Sequence, residues 1–106
     1  MSKNENAPRK RLERLSQMEA ILDETVRLNA DLAPRLAALD EARGRMKKLF
    51  RYYGSATWHS DRESELPEGV KAGVLSEDLV YDEIVNLRDE AFLMLELATD
   101  ILKNVL

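Results

Sequence analysis

Aromatic and imidazole side chains are concentrated in one stretch of this 106-residue sequence. The stretch holds Tyr52, Tyr53, Trp58, His59 and Tyr81. Because tryptophan and tyrosine dominate the energetics of protein interfaces, we predict that these five residues form a partner-binding surface. The alternative is that the rings hold a loop against neighbouring helices. We expect Trp58 to do so, while at least one of the three tyrosines stays exposed.

Two residue patterns around His59 raise the question of catalysis or metal binding. Ser55 precedes His59 by four residues, as a nucleophile precedes a base, but no acid is evidently placed to orient the imidazole. The acidic residues that alternate after His59 lack the further imidazole or thiolate ligands of a transition-metal site and the placed glycine of a calcium loop. The sequence contains no cysteine. We therefore predict no catalytic residue, no metal, no cofactor and no enzymatic activity.

Charge divides unequally along the chain. Residues 1–60 carry a net charge of +4 and residues 61–106 a net charge of −8, within a total of −4. The basic runs at 9–14 and 43–51 favour, as the alternative function, a nucleic-acid-associated regulator that uses the run from Arg9 to Arg14. We expect no such binding, because an antiparallel second helix would place acidic residues beside the second basic run and neutralise its field.

Helical periodicity defines the first element that positions these residues. From Leu15 to Tyr53, steps of three and four residues fall on apolar side chains at nine of twelve positions. This pattern predicts one long helix, closed by Gly54 as a left-handed C-cap. The register continues through Pro34, so we expect a kink there. A break at Pro34, which would give a three-helix bundle, is the second possibility.

A loop and a second long helix are predicted next. Residues 54–75 contain proline and glycine and keep neither a helical nor a strand period, which predicts a long ordered loop. Ser76 then has the character of an N-cap, and Leu75 with Val80 has the spacing of a hydrophobic staple. The second helix is expected to return antiparallel to the first and to end near residue 104.

The predicted fold is therefore an all-α helical hairpin in a single domain, 1–106, with residues 1–6 flexible. The apolar run at 91–98 surrounds its helix almost completely, so one partner helix is not enough to cover it. This predicts a homodimeric bundle. The residues predicted for self-association are Phe92, Leu95, Ala98 and Leu102.

One part of the sequence resembles a known family. The pattern YYGSATW, an acidic run with Leu-Pro, and GVLSEDLVYDEI before a leucine-rich helix resemble the bacterial family called domain of unknown function 4298, over residues 15–104. The resemblance implies a short all-helical protein of the bacterial cytoplasm, with no assigned activity and no catalytic residues. Members of that family tend to have an acidic or aromatic residue after the tryptophan, so the resemblance implies no role for His59.

The expected function is that of a non-enzymatic helical module that binds another protein. The polar start of the sequence has no apolar segment typical of a secretory signal. No stretch is apolar enough to predict a membrane-spanning helix, and we expect no association with membranes.

Overall fold

A computed structural model describes residues 3–106, with side chains described from residue 6 onward. Three α-helices make up most of this range: α1 is Lys3–Tyr52, α2 is Ala56–Glu63 and α3 is Glu77–Asp100. A 3-10 turn, Gly73–Leu75, precedes α3, and a π-helical turn, Ile101–Val105, follows it. The described residues contain no strand, so the predicted all-α class is confirmed.

Pro34 lies inside α1, and the helix continues across it. The break that would have produced a three-helix bundle is therefore wrong. Proline removes a single backbone hydrogen bond from a helix of 50 residues, and propagation on both sides outweighs that loss. The kink at Pro34 stays a prediction.

The chain divides into two compact units, Met1–Arg43 and Gly44–Leu106, with the boundary inside α1. The described part of the first unit is the portion of α1 that precedes residue 44, and every side chain from residue 6 to residue 38 is exposed. The second unit contains the end of α1, the helices α2 and α3, and the two buried apolar side chains of the described range, Trp58 and Val80. The single domain, the hairpin and the homodimer stay predictions, as does a flexible segment at 1–6, whose first two residues lie outside the described range.

The segment predicted as a loop contains α2, so that prediction is wrong for residues 56–63. Gly54 ends α1 with φ of +77°, which confirms the predicted left-handed C-cap. The hydroxyl of Ser55 then accepts a hydrogen bond from the Trp58 amide at 3.2 Å and caps α2. Two helical turns are too few for an apolar period to be recognised, so this helix depends on its cap and on burial of Trp58.

The start of α3 follows the predicted pattern. Ser76 is the N-cap, and its hydroxyl accepts a hydrogen bond from the Asp78 amide at 3.3 Å. Glu77 and Asp78 place negative charge in the first turn, where the helix dipole favours it. Val80 is 5% exposed and Leu75 is half-buried, so both members of the predicted staple are shielded from solvent.

One face of α3 is shielded from solvent along most of the helix. Burial follows Val80, Ile84, Leu87 and Met94, whereas Leu95, which was predicted for self-association, is 64% exposed. Steps of four, three and seven residues return to the same side of a helix, and one further residue turns the side chain by about 100°. Leu95 therefore belongs to a different face.

Candidate functional site

Trp58 lies in the interior of the second unit with 3% of its surface exposed. Its indole Nε1–H donates a hydrogen bond to the carbonyl oxygen of Val74 at 2.8 Å. The side chain thus ties α2 to the segment that leads into α3. Trp58 has the expected structural role, and its assignment to a partner-binding surface is wrong because the ring is not accessible.

Three side chains surround the indole ring. The Tyr53 ring lies 5.3 Å from it between centroids, and the His59 ring meets it edge-on at 4.9 Å. The Arg62 guanidinium lies 5.2 Å from the indole centroid, in a cation–π arrangement. We call Tyr53, Trp58, His59 and Arg62 the tryptophan cluster. It combines the residue that follows α1 with both turns of α2.

Two contacts extend the tryptophan cluster to the first residue of α3. The Tyr53 hydroxyl donates a hydrogen bond to the Glu77 carbonyl oxygen at 2.6 Å. Arg62 Nη1 lies 2.6 Å from Glu77 Oε1 and donates a hydrogen bond within that salt bridge. The guanidinium beside it lowers the pKa of Glu77, first by hydrogen bonding and then by charge. Glu77 therefore joins the cluster through both its backbone and its side chain.

Tyr52 is also held by an internal partner. Its hydroxyl donates a hydrogen bond to Asp61 Oδ2 at 2.6 Å. This bond raises the pKa of Tyr52, because the phenol proton is held by the carboxylate and a phenolate beside that charge would be repelled. Tyr52 and Tyr53 are half-buried with their hydroxyls engaged, so these hydroxyls support the fold of the second unit.

Ser55 and His59, which the sequence analysis considered for catalysis, both make contacts that support the fold. The Ser55 hydroxyl is the cap of α2, and the exposed His59 packs against the indole. Across the described range, no group of three or more His, Cys, Asp or Glu side chains is arranged to hold a metal ion. The search for membrane-spanning segments in the same range found no helix that is long and apolar enough.

Four exposed apolar side chains lie on one face of α3 and of the π-helical turn that continues it. Tyr81 is 57% exposed, and the exposed fractions rise along the helix from 60% at Phe92 to 64% at Leu95 and 71% at Leu102. The intervals of eleven, three and seven residues are close to whole turns, so the four side chains share a face. We call these four residues the outer stripe. It joins the exposed tyrosine predicted for partner binding with three residues predicted for self-association.

The fourth of the self-association residues, Ala98, is exposed but lies off the outer stripe. It continues the face of Val80 and Met94, from which it is separated by eighteen and four residues. A third row, on another side of α3, consists of Leu93 and Leu97 and continues with Ile101 in the π-helical turn; these residues are 44–53% exposed. The end of α3 is therefore apolar nearly all round, as predicted, and its apolar sides are open to solvent.

The polar contacts of this unit were not predicted from the sequence. No role was predicted for Arg62, Asp61 or the Val74 carbonyl. Each of their hydrogen bonds joins α2 to another part of the chain, and α2 itself was not predicted. The signal that could have located α2 was the capping serine at Ser55 after a C-cap glycine.

These observations define an all-α protein with a tryptophan-anchored short helix between two long helices and an exposed apolar stripe on the last of them. The chain belongs to the family described as Domain of unknown function (DUF4298), whose sequence model matches residues 15–97. This match confirms the resemblance found in the sequence. Comparisons with curated proteins and with solved structures give no match.

Proposed function

We propose that this chain is a non-enzymatic helical module of the bacterial cytoplasm that works by binding another protein, and that the outer stripe of α3 supplies the binding surface. The observation that carries the proposal is the exposure of Phe92, Leu95 and Leu102 on one helix face. Single exposed apolar residues are ordinary, but several of them on one helix face are typical of an interaction site.

The chemistry beside the outer stripe indicates the kind of partner. Intervals of seven, seven and four residues place a row of acidic residues along one edge of the stripe: Asp82, Asp89, Glu96 and Asp100. An amphipathic helix with an apolar face and a basic flank complements both the row and its edge. The partner is therefore a protein that presents such a helix.

The free energies of side-chain burial and of association determine how large this contact must be. Burying each phenylalanine or leucine contributes about 1.5–3 kcal/mol, whereas association costs at least about 4 kcal/mol in lost freedom. Three such side chains only just exceed the cost, so a useful complex also needs Tyr81 and the acidic edge. The contact then extends over about 32 Å of helix from residue 81 to residue 102.

The test uses two full-length variants that each add one negative charge at an exposed position of α3. Leu95→Glu changes the outer stripe, and Asn86→Glu, on the opposite side of the helix, is the matched control. The probes are two synthetic amphipathic helices with the same leucine face, one flanked by lysine and one by glutamate. We expect the wild type and Asn86→Glu to bind the lysine-flanked peptide, and Leu95→Glu to bind it at least about tenfold more weakly.

Circular dichroism should show that Leu95→Glu remains folded, because the wild-type side chain is already 64% exposed. Tagged baits of the same three proteins, used in co-purification from bacterial cytoplasm, then identify the natural partner. Equal binding by Leu95→Glu and the wild type would contradict the proposal. A homodimer lost in Leu95→Glu but kept in Asn86→Glu would instead identify self-association as the use of this face.

A further inference from the structure

We propose that α1 pairs with α1 of a second copy as a parallel, in-register, two-stranded coiled coil over residues 14–40. This proposal concerns the first unit alone and does not rest on the function proposed for α3. Its starting observation is an exposed apolar seam: Leu15, Leu22, Leu32 and Leu36 are 45–54% exposed. A helix with such a seam gains most of its stability from a packed partner.

Heptad positions follow from the seam. With Leu15 at position a, the a positions are Leu15, Leu22, Asn29 and Leu36, and the d positions are Met18, Thr25, Leu32 and Leu39. Pro34 then falls at position f, on the side of the helix opposite the seam. The one internal proline of this stretch therefore leaves every seam position intact.

Two seam positions hold polar side chains, and these side chains differ in their need for a hydrogen-bond partner outside their own helix. The Thr25 hydroxyl donates a hydrogen bond to the Ile21 carbonyl oxygen at 2.8 Å, so its polar group is satisfied within its own helix. Asn29 has no hydrogen bond from its side chain within the described part of the chain. A single asparagine at an a position fixes the register of a two-stranded coiled coil, because the two amides bond each other. Asn29 of one copy thus selects Asn29 of the other.

The flanking positions agree with this register. In a parallel pair, each g residue lies beside the e residue five positions later in the second copy. The four pairs between residues 14 and 40 are Arg14 with Glu19, Ile21 with Val26, Leu28 with Ala33, and Arg35 with Asp40. The outer two pairs join opposite charges and the inner two join apolar side chains, so every flank is complementary.

An antiparallel pair of these helices has no comparable charge complementarity at its flanking positions. Antiparallel helices bring g positions beside g positions and e positions beside e positions. Between residues 14 and 40, both charged g residues are arginines, Arg14 and Arg35, and both charged e residues are acidic, Glu19 and Asp40. No antiparallel register over this stretch therefore joins opposite charges, and some registers join like charges.

The seam also has a defined end. Arg43 occupies the next a position, where two copies would bring two guanidinium groups together. Within one chain its Nη2 lies 2.6 Å from Asp40 Oδ1. The seam therefore stops after Leu39, inside the first unit.

Because the chain contains no cysteine, single cysteines can report the alignment without background. In full-length Leu22→Cys, a parallel in-register pair places each new thiol beside its equivalent, and mild oxidation should give a disulfide-linked dimer on a non-reducing gel. Ala20→Cys, at position f, is the matched control and should stay monomeric on the gel. Light scattering of the reduced protein should show a dimer in both variants.

Charge variants test the flanks separately. Arg14→Glu with Arg35→Glu makes every charged flank acidic, and Glu19→Arg with Asp40→Arg makes every charged flank basic. We expect each variant alone to dimerise about tenfold more weakly than the wild type, and an equimolar mixture to recover wild-type affinity as a heterodimer. A monomeric wild type, a dimer without the Leu22→Cys cross-link, or variants that do not prefer each other would each overturn the coiled coil. A dimer abolished by Leu95→Glu and unaffected by the flank variants would assign pairing to α3 instead.

Discussion

Replacing Trp58 with alanine tests the role of the tryptophan cluster most directly. The side chain is 3% exposed and contacts the rings of Tyr53 and His59, so its removal deletes the largest buried group of the second unit. Truncating a buried tryptophan costs about 3–5 kcal/mol, which is a large part of the 5–15 kcal/mol that stabilises an ordinary domain. We expect α2 to unfold, and the second unit to lose most of its resistance to urea.

A second variant separates the ring from its hydrogen bond. Trp58→Phe keeps an aromatic ring in place but removes the Nε1–H that donates to the Val74 carbonyl at 2.8 Å. The lost hydrogen bond should cost about 1 kcal/mol in addition to the effect of the smaller ring. Tyr81→Ala is the control for an exposed ring and should change stability by less than about 0.5 kcal/mol.

Urea unfolding followed by circular dichroism measures these differences, and amide hydrogen exchange of residues 56–63 attributes them to α2. In the wild type, tryptophan fluorescence should be blue-shifted and poorly quenched, because Trp58 is the only tryptophan and is buried. If Trp58→Ala unfolded within about 0.5 kcal/mol of the wild type, the assignment of Trp58 as the anchor of this unit would be refuted.

Two further predictions concern charge. Since Arg62 lowers the pKa of Glu77 in the folded state, the stabilisation from this pair is complete above the ordinary pKa of a glutamate and is lost as pH falls through the lowered value. Between about pH 6 and pH 3, the wild type should therefore lose more resistance to urea than Glu77→Gln does. The basic run at 9–14 should show no salt-sensitive binding to DNA or RNA in a fluorescence anisotropy titration. Binding that weakens steeply with salt, and again on neutralising that run, would instead support the nucleic-acid regulator.

The helices were largely predictable, because their signals are local. The seam from Leu15 predicted a continuous α1, Gly54 its end and Ser76 the start of α3, and each depends only on neighbouring residues. The short helix α2 was not predictable from periodicity, since eight residues give too few repeats and its stability comes from the burial of Trp58.

The site was predictable in its residue types, in the structural role of Trp58 and in the exposure of one tyrosine. Which of the three tyrosines is exposed was not predictable, because the accessibility of Tyr52, Tyr53 and Tyr81 depends on how α2 and the segment before α3 are arranged. The same holds for Leu95 and its neighbour Met94. Consecutive residues point to different sides of a helix, and only the side of Met94 is shielded from solvent.

The hydrogen bond between Trp58 and Val74 also bears on how the second unit folds. The two residues are sixteen positions apart, and the Tyr53–Glu77 bond spans twenty-four, so the contacts that fix this unit close short loops. Loops of this size close in well under a microsecond, and topologies dominated by local contacts fold within microseconds to milliseconds. The contacts around α2 can thus form before the whole of α3 is helical, and α3 can then extend from an already formed N-terminus.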